Sequence, residues 1–232
     1  MNLHGTLTLL LIVLTMSLSR HVVLAQRHHV ADSLLKVALG QDYEVGGVFD
    51  VDRVLAKPKV DPSVAYIRED PNHQLSHTLI VLYAKWDSMP PQHRYGSGAS
   101  TGDCGGIALL RDGKVTWYSN RFIARYSPLT CDVSGFADLD NDGVTDIIIS
   151  VFEGERHENE TLWLIAPNDH GGRILNAVDR HGDSEISGDA GSFRFTNSRT
   201  GKTKQIRSGR DVYSWNGSVF AVPTGKSGHV RK

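Results

Sequence analysis

Asp138-Leu139-Asp140-Asn141-Asp142-Gly143-Val144-Thr145-Asp146 runs straight into Ile147-Ile148-Ile149-Ser150-Val151, and the reading of this stretch decides the fold. Carboxylates at alternate positions let a tight turn aim several oxygens at one hard cation, and Gly143 supplies the positive φ that such a turn requires. The Val144 carbonyl and the Asp146 carboxylate complete an oxygen set that suits Ca²⁺ better than softer metals. An EF-hand would place a bidentate Glu at the twelfth position and a helix after it. The twelfth position here is Ile149, inside a β-branched run that reads as a buried strand. The loop therefore feeds a strand, and an all-β domain is expected. Four acids within nine residues repel one another unless something neutralises them, so Ca²⁺ is the expected cofactor.

The longer stretch Phe136-Ala137-Asp138-Leu139-Asp140-Asn141-Asp142-Gly143-Val144-Thr145-Asp146-Ile147-Ile148 resembles the calcium loop of FG-GAP and VCBS-type repeats, found in integrin-like propellers and many secreted bacterial proteins. The resemblance implies side-chain ligands from Asp138, Asp140, Asp142 and Asp146, with the Val144 carbonyl, between two strands of an antiparallel sheet. It covers one repeat. Asp50-Val51-Asp52 and Asp183-Ser184-Glu185 are at best eroded relatives of it. The closing Tyr213-Ser214-Trp215-Asn216-Gly217-Ser218-Val219-Phe220 resembles the Tyr-x-Trp-Asp-Gly-x-x-Phe hairpins of secreted β proteins.

Residues 1–25 read as a signal peptide. Leu7–Leu18 is an apolar core of secretory length, and Val23-Leu24-Ala25 places small or apolar residues before a cut at Gln26. The n-region carries His4 but neither Lys nor Arg. A secreted, periplasmic or cell-surface location follows, with no integral membrane span expected in the mature chain. Residues 26–44 form an N-terminal segment with a short helix, 45–222 the β domain with its calcium loop at 138–146, and 223–232 a flexible tail.

Charge is nearly balanced, 25 basic against 26 acidic residues. That leaves no basic footprint for nucleic acid and no polybasic membrane anchor. An extracellular protein or glycan is the expected partner, and a binding or structural module the expected role.

Ala31–Leu39 has helical spacing, with Leu34, Leu35, Ala38 and Leu39 on one face and Gly40 as the stop. Beyond it strands are expected at Val45–Val51, Val64–Ile67, Thr78–Trp86, Gly106–Leu110 and Val115–Ser119. Further strands are expected at Asp146–Phe152, Thr161–Ala166, Arg173–Val178, Phe193–Thr196, Lys204–Arg207, Asp211–Trp215 and Ser218–Val222. Asp112-Gly113 and Asn216-Gly217 are hairpin turns. An antiparallel meander results, propeller-like or a β-sandwich. The sequons at Asn159 and Asn216 read as polar loops.

The two cysteines, Cys104 and Cys131, both follow the signal peptide, and an oxidising compartment favours a disulfide between them. The alternative function is a secreted hydrolase, cysteine protease-like at Cys104 or glycan-processing. Gly102-Asp103-Cys104-Gly105-Gly106 resembles the nucleophile turn of chymotrypsin-like proteases with Cys replacing Ser, and His73, His77 and His93 lie upstream. The chain before Cys104 is too short for a whole first barrel, and no complete nucleophile–base–acid set stands at the family's spacing. His73 and His77, four apart, lead into a strand rather than a zinc-binding helix and lack the catalytic Glu between them. They read as solvated histidines.

Overall fold

Ile147, Ile148 and Ile149 are all fully buried, yet adjacent residues of a strand point to opposite faces. Both faces of their strand are therefore covered, which is why the run is continuously apolar instead of alternating. The computed structural model describes residues 26–27, 29–38, 43–56, 67–85, 106–119, 130–153, 159–167, 173–179, 181–182, 186–199, 201 and 203–223.

The described residues open with helix α1 (29–38), strand β1 (Tyr43–Asp50) and the short helix α2 (Val51–Ala56). Then come β2 (Ile67–Arg68), β3 (Thr78–Lys85), β4 (Gly106–Arg111), β5 (Lys114–Ser119) and β6 (Thr130–Ala137). The Ile147 strand is β7 (Asp146–Glu153), followed by β8 (Asn159–Ala166), β9 (Arg173–Leu175), β10 (Ala177–Val178) and β11 (Ile186–Asp189). The series closes with β12 (Arg194–Asn197), β13 (Lys204–Ser208), β14 (Asp211–Trp215) and β15 (Phe220–Ala221). Sheet A has the order β1-β3-β4-β5, sheet B β11-β8-β7-β6-β2 with β9 also on β8, and sheet C β10-β15-β14-β13-β12.

The sheets lie in layers with B in the middle. Ile147, Ile149 and Val151 face sheet A and meet Ile80, Leu82 and Ile107. Ile148 faces the other way, in a cluster with Phe193, Ile206, Tyr213 and Phe220 of sheet C and its approach. The outer face of sheet A is covered by α1, whose Ala31 and Leu35 pack on Val81, Tyr83, Ala108 and Leu110. This is a mostly antiparallel all-β fold whose stacked sheets suit a propeller-like arrangement, with no closed barrel among the described residues. No described helix is long and apolar enough to cross a membrane.

Several expectations need correcting. Ala38 is exposed, so the apolar face of α1 is narrower than its spacing implies. The strand expected to include Val51 stops at Asp50, whose Oδ1 accepts the Arg53 N–H (3.3 Å) as the N-cap of α2. Asp50-Val51-Asp52 is thus a helix start and no relative of the acidic loop. No range was expected for β6 or β11, because Asp132, Ser134, Gly135 and Gly188 are poor strand formers; for β6 the loop resemblance implied only that some strand precedes the acidic turn. Gly135 is needed for close approach, since a Cβ there would stand 2.7 Å from the Ile67 carbonyl oxygen of β2. That β2–β6 pair is parallel, as is β10–β15, so the sheet is not a pure meander. Asn159 opens β8 instead of sitting in a loop. The Asp112-Gly113 turn does take two positive φ values, 52° and 71°, as a type I′ hairpin requires.

Ser150 interrupts the apolar run for a reason. Its hydroxyl donates to Glu160, the Ser134 hydroxyl donates to Ser150, and the Gly191 N–H donates to Glu160 Oε2 (2.9 Å). The chain of donors ties β6, β7 and β8 together around a buried carboxylate.

Candidate metal centre

The acidic loop is the connection between β6 and β7, adjacent antiparallel strands in which Ala137 pairs with Asp146. Leu139 is fully buried in the cluster between sheets B and C, so the loop is anchored by an apolar plug. Its N–H donates to Asp146 Oδ2 (2.8 Å), and its carbonyl accepts the Lys204 N–H of β13 (3.1 Å). The turn that follows uses two left-handed residues, Asn141 at φ 63° and Gly143 at φ 85°. Gly143 was expected there; Asn141 was not, although a short polar side chain tolerates that conformation.

Within the turn the carboxylates first satisfy local amides. Asp138 Oδ2 accepts the Gly143 N–H (3.1 Å), Asp140 Oδ1 the Asp142 N–H (3.2 Å) and Asp142 Oδ1 the Val144 N–H (2.8 Å). The carboxylates also converge. One carboxylate oxygen each from Asp138, Asp140 and Asp146 lie within 4.8 Å of one another. Asp138 Oδ1 and Asp146 Oδ1 are buried with no hydrogen-bond partner, a costly state for a carboxylate unless a cation completes it. Asp142, expected as a fourth ligand, is outside that group; its side chain is 41% exposed. Val144 is half-buried.

Electrostatics follow from burial. Asp146 is fully buried, and desolvation pushes its carboxyl from 3.8 up to about 8, opposed by the Leu139 N–H and reinforced by Asp140, Asp142 and Asp138. Asp140 is raised by burial and then by the Asp142 charge, against the pull of Arg173. Arg173 of β9 places Nη2 2.8 Å from Asp140 Oδ2 and 3.9 Å from Asp142 Oδ2. Its guanidinium also lies 5.9 Å from the Trp215 ring centroid. One guanidinium at the rim offsets part of the acidic charge, and the inner oxygens of Asp138 and Asp146 stay unpartnered.

Comparison with protein-family models, curated proteins and solved structures gives no match. The chemistry of the centre has to be argued from its own atoms. Three converging carboxylates, two of them carrying a buried, orphaned oxygen, fit a hard cation and suit no soft one.

Residues distant in the chain brace the loop. The turn at 70–77 brings Asp70, whose Oδ1 accepts the Thr145 hydroxyl (2.8 Å), and Gln74, whose amide binds two loop backbone groups. Some seventy residues separate these partners from the acids they support, so no local spacing signals them. His73 and His77 in that turn are exposed, at positive φ values of 50° and 58°. Of the expected disulfide, Cys131 is buried in β6 and not free, while Cys104 lies outside the described residues. His93, Asp183 to Glu185, the signal peptide at 1–25 and the tail beyond 223 lie outside them too.

Proposed function

We propose that this chain is an exported, calcium-binding β protein of the FG-GAP/VCBS-like kind, acting as a binding or structural module for an extracellular protein or glycan. The observation that carries the reading is the orphaned, buried Oδ1 of Asp146, a carboxylate clustered with those of Asp138 and Asp140. A hard cation satisfies all three at once, and Ca²⁺ is the hard cation that extracellular modules meet at millimolar concentration and bind through flexible oxygen cages. Asp142 and the Val144 carbonyl complete the set when the loop closes on the ion. The repeat-like loop sequence and the secretory-length apolar core at Leu7–Leu18 support the same reading.

Equilibrium dialysis against radioactive calcium tests it. One ion per chain is expected for wild type. Asp138→Asn keeps an acceptor for the Gly143 N–H but removes a ligand charge, and is expected to weaken uptake by about tenfold or more. No uptake by metal-free wild-type protein overturns the reading.

Export carries a second expectation. Cys104 and Cys131 are expected to be bridged in protein recovered from an oxidising compartment, contributing about 3–4 kcal/mol through loop closure. Peptide mapping without reductant decides it. Two alkylatable thiols would remove the bridge and restore Cys104 as a candidate nucleophile.

A further inference from the structure

Gln74 makes two hydrogen bonds with its side-chain amide, both to the backbone of the acidic loop. Its Nε2 donates to the Gly143 carbonyl (2.7 Å), and its Oε1 accepts the Thr145 N–H (2.8 Å). These two groups belong to consecutive peptide units on either side of Val144. No peptide bond among the described residues is cis, so in each unit the carbonyl and the N–H point in opposite directions. In the first unit the carbonyl faces Gln74, and the Val144 N–H on its far side reaches Asp142 Oδ1 (2.8 Å). In the second unit the N–H faces Gln74, so the Val144 carbonyl is turned away from Gln74, to the side on which the Val144 N–H meets Asp142. One planar amide thus fixes the carbonyl that would join the carboxylates around a cation.

The backbone of Gln74 is itself held at both ends. Asp70 accepts its backbone N–H (3.0 Å) and that of Leu75 (3.1 Å), and Arg111 Nη2 donates to the Gln74 carbonyl (2.6 Å). Leu75 is buried in the core between sheets A and B, and pins the turn beside the clamp. Asp70 also takes the Thr145 hydroxyl, so it grips the turn and the loop together. The clamp is part of a supported framework.

We propose that Gln74 is a positioning residue of the cation centre, orienting the Val144 carbonyl as a ligand without touching the ion. The inference rests on the cation reading above, which has its own mark in the orphaned Oδ1 of the fully buried Asp146. Outer partners of metal ligands of this kind characteristically change affinity by about 10–100-fold when removed.

The test uses terbium(III) as a luminescent stand-in for calcium, with emission lifetimes in H₂O and D₂O to count the waters left on the bound ion. The full chain is compared with Gln74→Ala and Gln74→Glu. Gln74→Ala is expected to bind about tenfold more weakly and to hold about one extra water, because the released carbonyl no longer fills its place. Gln74→Glu keeps the acceptor for the Thr145 N–H and is expected to retain the wild-type water count even though its contact with the Gly143 carbonyl is lost. A purely architectural role for Gln74 would lower the melting temperature and leave the water count unchanged, and that result overturns the inference. So does a Gln74→Glu protein carrying the extra water. Failure of wild type to bind terbium or calcium is a different result: it removes the cation reading itself, and the clamp with it. Should Gln74→Ala not fold, Gln74→Met, which fills the same space without either hydrogen bond, takes its place: the extra water is expected, and a wild-type count in a folded Gln74→Met protein overturns the inference.

Discussion

At pH 8, calcium at about 2 mM is expected to raise the melting temperature of the metal-free protein by about 4–7 °C. Extracellular modules bind calcium with Kd of roughly 10⁻⁴ to 10⁻³ M. At a Kd of about 0.1 mM, mass action stabilises the folded chain by roughly 1.8 kcal/mol, and each kcal/mol moves the midpoint of a domain this size by about 2–4 °C. The gain reaches the whole domain because the loop is rigidly joined to the core. Asp146 begins β7, Leu139 is buried between sheets B and C, and its carbonyl is bonded to Lys204 of β13. Magnesium is expected to do much less, since it demands a tighter octahedron and gives up water reluctantly. The check is a pair of thermal melts of metal-free protein, with and without added calcium, followed by circular dichroism. Coincident curves would leave the acidic loop as a solvated turn.

The same coupling explains what could be read from the sequence and what could not. The loop and β7 were legible together because both signals are local. Alternating acids with Gly143 declare a turn, and three successive isoleucines declare a strand covered on both faces. The turn chemistry at Asp112-Gly113 was legible for the same reason. The residues of strand β6 did not declare it, and only the loop resemblance implied a strand there, although it pairs with β7 along its length. Its Gly135 is explained only by β2, which passes too close for any side chain, and its Ser134 only by Ser150 and Glu160 on other strands. The centre divides along the same line. Asp138, Asp140 and Asp146 come from one turn and were foreseen. Asp142 was foreseen too, but it caps the Val144 N–H with its side chain 41% exposed and stands outside the converging group. Gln74, Asp70 and Arg173 come from other elements, and no periodicity in the chain brings them to the loop. Tertiary packing does.

Metal-free protein is expected to lose stability as pH rises from 5.5 to 8, and the loss traces to Asp146. In the unfolded chain this carboxyl ionises at its ordinary 3.8, whereas in the folded chain burial holds the proton until about pH 8, with the neighbouring acids adding to the shift. Between those limits the folded state carries one more proton than the unfolded state. Its stability therefore falls with rising pH, at about 1.4 kcal/mol per pH unit, and the decline ends near the folded value. The contribution is fully present below pH 3.8 and gone above about 8. From pH 5.5 to 8 the loss is on the order of 3 kcal/mol, or roughly 6–12 °C in midpoint. Asp146→Asn separates this effect from every other titration. Its carbonyl still accepts the Leu139 N–H, and its amide donates to the acids nearby, so the metal-free variant is expected to be more stable than wild type at pH 8 and to lack this component of the slope. Calcium must displace the same proton, so its apparent affinity weakens about tenfold per unit below pH 8. The calcium-induced rise in midpoint is then expected to shrink towards zero by pH 5.5 in wild type and to be absent at every pH in Asp146→Asn. Melts of both proteins at pH 5.5, 7 and 8, with and without calcium, measure all of this in one series. Parallel pH slopes for the two metal-free proteins would show that the buried carboxyl does not hold its proton, and a calcium shift retained by Asp146→Asn would remove Asp146 from the centre.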